Sequence, residues 1–220
     1  MVLTESINQT NSMYPALSYM LNQKSKFKAP SYAKWCSIYG YSFGSNSIVL
    51  GDKTIALSQG QYYSFFVPDR FPEIVVDSQL FLVIRLGYKC QNQTGWVEEQ
   101  GRLSYIDACS DSLLIYPSRQ GDPSLNLLHF PPGIAQTRHI HPSIRMGCVI
   151  SGEGESEVWE GENSVVRPLQ AGDHFCLTEN ERHRFITHSS HMTVIAWHPD
   201  GDWGPTDHNH TMLNRTYINK

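Results

Sequence analysis

The sequence predicts an all-β sandwich or barrel, and three observations carry that prediction. Short apolar, β-branched and aromatic runs recur at spacings of about 8–12 residues, with turn signals between them. Sixteen glycines and twelve prolines supply those turns, each residue setting a backbone angle that strands do not use. No apolar pattern of helical period extends beyond two turns.

Taken in order, residues 1–30 are polar and read either as an arm packing on the body or on a second subunit, or as a disordered terminus. Within them Tyr14 to Leu21 could form one or two helical turns, with Pro15 at an early position. Residues 31–120 form an N-terminal β region. Ser47 to Leu50 stops at Gly51-Asp52, Thr54 to Leu57 stops near Gly60, and Gln61 to Val67 stops at Pro68-Asp69. Leu80 to Leu86 is the most apolar run and reads as a buried strand. Gly87 to Gly101 is polar and reads as a long exposed loop. Strands over Leu103–Ile106, Leu113–Tyr116 and Leu125–Phe130 follow. Residues 121–207 form a core domain, with hairpin glycines at Gly152, Gly154 and Gly161, a strand over Phe175–Leu177 and a closing strand over Met192–Trp197. Residues 208–220 are a tail.

One internal echo connects the halves. Leu57-x-x-Gly60-polar-x-Tyr63 matches Leu169-x-x-Gly172-polar-x-Phe175. Either chance or a decayed second copy of one barrel explains it. Counting eleven residues on from each glycine places Phe71 where the later copy has His183, so the earlier copy would lack that histidine.

Composition narrows the function. Forty per cent of residues are hydrophobic and 17% charged, with a formal net charge of -4 and no basic run. That balance argues against nucleic acid or an anionic membrane as partner. No segment has the roughly 20 apolar residues that span a bilayer. Cys36, Cys90, Cys109, Cys148 and Cys176 are odd in number and include no C-x-x-C pair. Buried thiols in a reducing, cytoplasmic setting fit this better than a disulfide framework. The sequons at Asn8, Asn92, Asn209 and Asn214 carry little weight without a secretory signal.

The chemistry concentrates between Gly133 and His183. His139 and His141 stand two apart, so on a strand both imidazoles point to one face. A third histidine from a neighbouring strand would complete a three-nitrogen face with open positions opposite it. His183 is that candidate.

These residues resemble the cupin superfamily. Its first motif, G-x5-H-x-H-x3-E-x6-G, falls on Gly133, His139, His141, Arg145 and Gly152 with every spacing kept and only the glutamate replaced. Its second, G-x5-P-x-G-x2-H-x3-N, falls on Gly172, Thr178, Asn180, His183 and Thr187, keeping the first Gly and the His. The resemblance runs from about Ser124 to Asp207. It implies a jelly-roll barrel and a metal on His139, His141 and His183, with residues 31–120 as a degenerate second barrel.

Arg145 is the informative departure. It shares the strand parity of the histidines and points inward unless a bulge turns it out and brings Met146 in. A guanidinium cannot ligate a cation, so the site is left with three neutral ligands. Such a set suits an anionic chelating substrate and O2, as the resemblance to three-histidine cupin dioxygenases suggests. Arg145 would then pair with a substrate carboxylate. The resemblance implies Fe(II), with Mn, Zn or Ni as other choices.

Oxygenation of a small carboxylate-bearing molecule is the first reading. Lyase or isomerase chemistry at the same metal is the second, and a non-catalytic small-molecule binding barrel the third. Cupins often pair through edge strands, which implies a homodimer. Gln136, Glu157 and Trp159 could line the cavity, with a surface position the default for Glu157. His174 falls on the wrong face to be a ligand, and His188, His191 and His198 read as turn or surface residues. The Asp- and His-rich segment from His198 to His210 is read as folding back over the barrel through Trp203 and Leu213 rather than as a second metal site.

Overall fold

The strands form where the apolar and aromatic runs lie, and a computed structural model describes residues 1–3, 5–22, 25–28, 33–68, 72–119 and 121–200. In chain order the first half supplies β1 (Val2–Leu3), β2 (Ser6–Gln9), β3 (Ala16–Leu21), β4 (Ser25–Lys28), β5 (Cys36–Ser42), β6 (Asn46–Leu50), β7 (Lys53–Leu57), β8 (Gln61–Val67), β9 (Glu73–Val76), β10 (Leu80–Leu86) and β11 (Gln93–Trp96). The second half supplies β12 (Leu103–Ser104), β13 (Ser110–Ile115), β14 (Ser124–Phe130), β15 (Arg145–Glu160), β16 (Asn163–Gln170), β17 (His174–Leu177), β18 (His183–Ile186) and β19 (Met192–His198). Among the described residues the only helix is a 3-10 turn at Ile106–Ala108. None is long and apolar enough to cross a membrane.

Two jelly-roll barrels result. The N-terminal one joins a sheet ordered β11-β8-β5-β10-β3-β2 to a second ordered β4-β9-β6-β7. The C-terminal one has a sheet ordered β1-β17-β15-β19-β14-β13-β12. The far end of β15 passes into the opposite wall, where β16 and β18 flank it. Neighbour by neighbour the two orders correspond: β5 pairs with β8 and β10 as β15 pairs with β17 and β19.

Strand alternation builds three apolar layers from these sheets. In β10, Leu80, Leu82 and Ile84 fill the N-terminal barrel while Phe81 and Val83 face outward. In β19, Met192, Val194 and Ala196 fill the C-terminal barrel while Ile195 and Trp197 face outward. The outward sets meet in a shared layer with Tyr39, Tyr41, Leu125, Leu127 and Met146. The barrels are therefore packed sheet on sheet. Buried His174 lies in this layer, its Nε2 2.7 Å from the Ser18 hydroxyl and its ring tilted against Phe81 at 5.6 Å between centroids, on the non-ligand face as its parity predicts.

The internal echo occupies equivalent places. Leu57 ends β7 and Leu169 lies near the end of β16. Gly60 (φ 83°) and Gly172 (φ 95°) make the turns, and Tyr63 and Phe175 enter β8 and β17. Opposite each aromatic sits a glycine, Gly40 facing Tyr63 and Gly147 facing Phe175. A Cβ on Gly40 would lie 1.9 Å from the Phe81 carbonyl oxygen, and one on Gly147 would lie 2.6 Å from the Phe175 ring.

Several expectations change. Tyr14 to Leu21 is not helical: Ala16–Leu21 is a strand between β2 and β10 whose residues are nearly all buried. Pro15 precedes that strand and gives its carbonyl to Leu86 N–H instead of starting a helix. The first residues are not a separate arm, because β1 pairs with β17 and β2 with β3. The polar stretch from Gly87 to Gly101 contains β11, which closes the edge beside β8. β12 and β13 precede residue 121 yet belong to the C-terminal sheet. The glycines Gly152 and Gly154 lie within one long bulged strand, and Gly161 makes the hairpin. Phe71, Trp203 and Leu213 lie outside the described residues.

Candidate metal centre

His139, His141 and His183 come together at the mouth of the C-terminal barrel. Each offers one ligand nitrogen, and these nitrogens all lie within 4.8 Å of one another. The ring centroids stand 4.4 Å apart for His139 and His183, and 5.1 Å for His141 with either. Among the described residues no other group of three or more His, Cys, Asp or Glu is so arranged.

Local structure explains the convergence. His139 and His183 form an antiparallel bridge, each N–H donating to the other's carbonyl at 3.0 Å. Their neighbours alternate outward: the Arg138 guanidinium stacks 4.3 Å from the Trp159 ring, and Ile140 is exposed. His183 opens β18, paired with Val158 of β15. The turn before it places Asn180 at φ 57°, where the family motif has glycine. Asn tolerates that left-handed conformation better than most residues, and its N–H donates to the His141 carbonyl at 2.8 Å. Thr187, standing at the motif's final Asn, is buried and takes the Ile134 N–H on its hydroxyl at 3.0 Å. That contact pins the start of the loop carrying His139 to the end of β18.

The imidazoles are oriented for a metal. His139 Nδ1 is 2.9 Å from the Thr137 carbonyl and His183 Nδ1 is 2.8 Å from the Glu181 carbonyl. A carbonyl can only accept, so in both rings Nδ1 carries the proton and Nε2 presents its lone pair, as outer-shell partners of metal-bound histidines do. His183 Nε2 is buried without a hydrogen-bond partner, a costly arrangement unless something fills it. Burial, with Arg145 next in effect, pushes the His141 imidazole down to about 2, and burial pushes His183 down to about 4. Both rings are thus neutral near pH 7, the state in which they can bind a cation. The residues fit a divalent metal ion.

Arg145 points into the barrel. It is buried, lines the cavity beside the histidines, and leaves Met146 in the layer between the barrels. Its Nη1 donates to the carbonyls of Ser143 and Ile144 and to the Ser143 hydroxyl, at 2.7–3.1 Å. Ser143 in turn donates to Asp200, which also accepts from the Tyr14 hydroxyl of the N-terminal barrel.

The cavity holds about 40 Å³ and is walled by Phe130, Phe175, Leu177 and Phe185 among others. That is room for about two or three waters. Gln136 lines it as expected and is buried, its Oε1 accepting the Phe185 N–H at 3.2 Å. Glu157 and Trp159 do not: both lie on the outer face of β15, with Arg184 2.7 Å from the Glu157 carboxylate and stacked near Trp159. Among the described residues no carboxylate lines the cavity.

His198 corrects the sequence reading. It lines the cavity with its ring 6.5 Å from that of His141. Its parity with Val194 and Ala196 along the closing strand would have revealed it. Tyr105 also lines the cavity, from the 3-10 turn before β13, and no periodic signal marks it. His188 is exposed beside Glu155, and His191 stacks on His129 outside the barrel.

Comparison with known proteins agrees with this architecture. The cupin domain family matches residues 126–198. No curated protein matches the sequence. A cupin 2 conserved barrel domain protein from Leptotrichia buccalis superposes with a TM-score of 0.58 at 14% identity, covering 89% of this chain and 88% of its own. Protein Ylba from E. coli gives 0.59 at 19% identity, covering 88% and 84%. Oxalate decarboxylase from Bacillus subtilis, a protein with Mn(II) centres, gives 0.57 at 12% identity, covering 90% and 73%. These identities speak for the fold alone. With the motif positions, the barrel topology and the domain match in agreement, residues 126–198 form a cupin domain.

Proposed function

We propose that this protein is a metal-dependent cupin enzyme that binds one divalent transition metal through His139, His141 and His183. The observation that carries the reading is the set of three converging imidazoles, one with a buried and unpartnered Nε2, beside a cavity that no carboxylate lines among the described residues. When bound, a divalent ion supplies Lewis acidity and, for iron or manganese, redox chemistry at its open positions. The protein's own residues set the substrate class. Three neutral ligands leave the ion's charge uncompensated, and Arg145 adds a second cation at the cavity wall. Both favour a small anion, most simply a carboxylate.

His198 stands where it can accept or donate a hydrogen bond to such a ligand, and Gln136 supplies a polar edge opposite. The phenylalanine and leucine wall excludes water. Oxygenation by Fe(II) is our first choice of reaction. A lyase or decarboxylase using Mn(II) is the second reading, favoured by the small cavity and by the fold shared with the Mn(II)-containing oxalate decarboxylase. A homodimer in the cytoplasm completes the proposal.

The test begins with elemental analysis of protein purified without chelator, beside a His139→Ala control. Near-stoichiometric iron lost in the control supports the oxygenase, and carboxylates are then screened for O2 uptake. Manganese with CO2 release and no net O2 uptake supports the second reading. Wild type that takes up no metal, even on reconstitution, leaves a non-catalytic binding barrel. Arg145→Leu should weaken carboxylate binding about tenfold or more while metal content stays at the wild-type level; loss of metal instead makes Arg145 structural.

A further inference from the structure

One wall of the metal cavity comes from a turn at the edge of the C-terminal sheet and is held in an unfavourable backbone conformation. Between β12 and β13 the chain makes a tight turn from Tyr105 to Cys109, closed by Tyr105 N–H to the Cys109 carbonyl at 2.9 Å and Cys109 N–H to the Ile106 carbonyl at 3.1 Å. Within it Asp107 (φ 56°) and Ala108 (φ 61°) are both left-handed. Two consecutive non-glycine residues in that region persist only where surrounding contacts impose them.

The imposing contact is the Asp107 carboxylate. It accepts the Thr137 N–H on one oxygen at 2.5 Å and the Thr137 hydroxyl on the other at 3.1 Å. The same Thr137 gives its carbonyl to Nδ1 of His139. At one end of the turn Tyr105 lines the metal cavity. At the other Cys109 is buried in the barrel core, with Gln136 Nε2 3.8 Å from its sulfur. The turn itself is exposed: Asp107, Ala108 and Thr137 all face solvent, and Ile106 is 37% exposed. An outer clasp on a strained turn thus holds an inner wall against the metal, over a cavity with space for little more than water.

We propose that the Tyr105–Cys109 turn is a lid on the metal cavity, clasped by Asp107 on Thr137, and that releasing the clasp admits any ligand larger than a few atoms. The proposal rests on the metal-site reading above. Opening costs the two hydrogen bonds of the clasp and is assisted by relief of the left-handed backbone, so the closed and open states are poised against each other. Both residues are left-handed, but Ala108 contributes strain alone whereas Asp107 also makes the restoring contact. The two residues should therefore move the balance in opposite directions.

The experiment uses the full chain loaded with Co(II), whose visible spectrum reports on the ligand field. Pyridine-2,6-dicarboxylate serves as a bulky chelator that must pass the lid, and azide as a small ligand that need not. In Asp107→Ala the chelator should remove the metal about tenfold faster or more, with azide binding unchanged. In Ala108→Gly, where the turn is relieved of strain, removal should slow severalfold. Removal at the wild-type rate in both variants overturns the lid. Equal acceleration of azide binding and metal removal in Asp107→Ala also overturns it, because the clasp then only orients His139. Wild type that binds no Co(II) refutes the metal site itself, a separate failure.

Discussion

The two barrels share a strand order and differ in what stands at one position of it. In the C-terminal barrel His183 pairs with His139 on one side and Val158 on the other. In the N-terminal barrel Ile74 pairs with Phe27 and Ile48. Ile74 and Ile48 are fully buried in an apolar core, whereas His183 is buried with an unsatisfied nitrogen. The scaffold therefore tolerates either filling. A barrel packed with isoleucine gains core stability, and the same wall lined with imidazole gives up part of that for a site. The candidate metal centre is a local choice of side chains on a strand order that both barrels share, which is why fold alone does not assign activity.

That comparison can be broken at its shared feature first. Gly40→Ala should cost about 3 kcal/mol or prevent folding, since its Cβ meets a backbone carbonyl that cannot swing aside. Gly147→Ala should cost less, about 2 kcal/mol, because the Phe175 ring can shift and the backbone oxygen it meets, that of Ile195, is 2.8 Å away rather than 1.9 Å. Thermal unfolding would measure both. Equal and small effects would deny the two glycines a common role.

The next pair sharpens the difference. Ile74→Ala should destabilise by about 2–5 kcal/mol through an internal cavity and leave metal content unchanged. His183→Ala should abolish metal binding and change the stability of the metal-free protein far less. Denaturant melts beside metal analysis distinguish the two, and metal loss in Ile74→Ala would mean the barrels are not independent.

A smaller effect depends on pH. The folded-state values of His183 and His141 lie below the 6.5 of a free imidazole, so below pH 6.5 the unfolded chain takes up protons that the folded chain refuses. Stability of the metal-free protein should fall as the pH drops from about 6.5 to about 4, and His183→Ala should flatten part of that slope. A profile of midpoint against pH would show it, and an identical slope in the variant would contradict it. Smallest of all, Glu157→Gln breaks an outward pair with Arg184 and should cost under about 1 kcal/mol, with metal binding intact. A metal defect there would place Glu157 at the site after all.

How much of this was legible depended on whether a residue acts through local spacing. His183 opens β18 and His139 meets it in an isolated bridge, so the i, i+2 spacing of His139 and His141 aims the pair through that bridge alone. The bends at residues 142 and 143 mean that the inward side of Arg145 does not follow from unbroken strand parity. The match of Leu57-Gly60-Tyr63 to Leu169-Gly172-Phe175 was visible because both are turn-to-strand transitions. His198 was readable in principle, two residues beyond Ala196, but its place beside Pro199 and Asp200 suggested a surface tail. Ala16 to Leu21 was misread because Pro15 suits the start of a helix as well as the approach to a strand. Tyr105 and Asp107 were not legible at all, since they reach the site only through pairings made far along the chain.

The exchange of β1 into the C-terminal sheet carries a kinetic consequence. Val2 pairs with Cys176 and Leu3 with Phe175, so the edge strand beside β17 comes from the far side of an entire intervening barrel. Closing that edge joins nearly opposite ends of the described chain, the kind of contact that forms slowly. Until it forms, β17 presents an unpaired edge open to the β1 of another molecule. Assembly at high concentration would then trap intertwined pairs, whereas dilution would let each chain complete its own sheet.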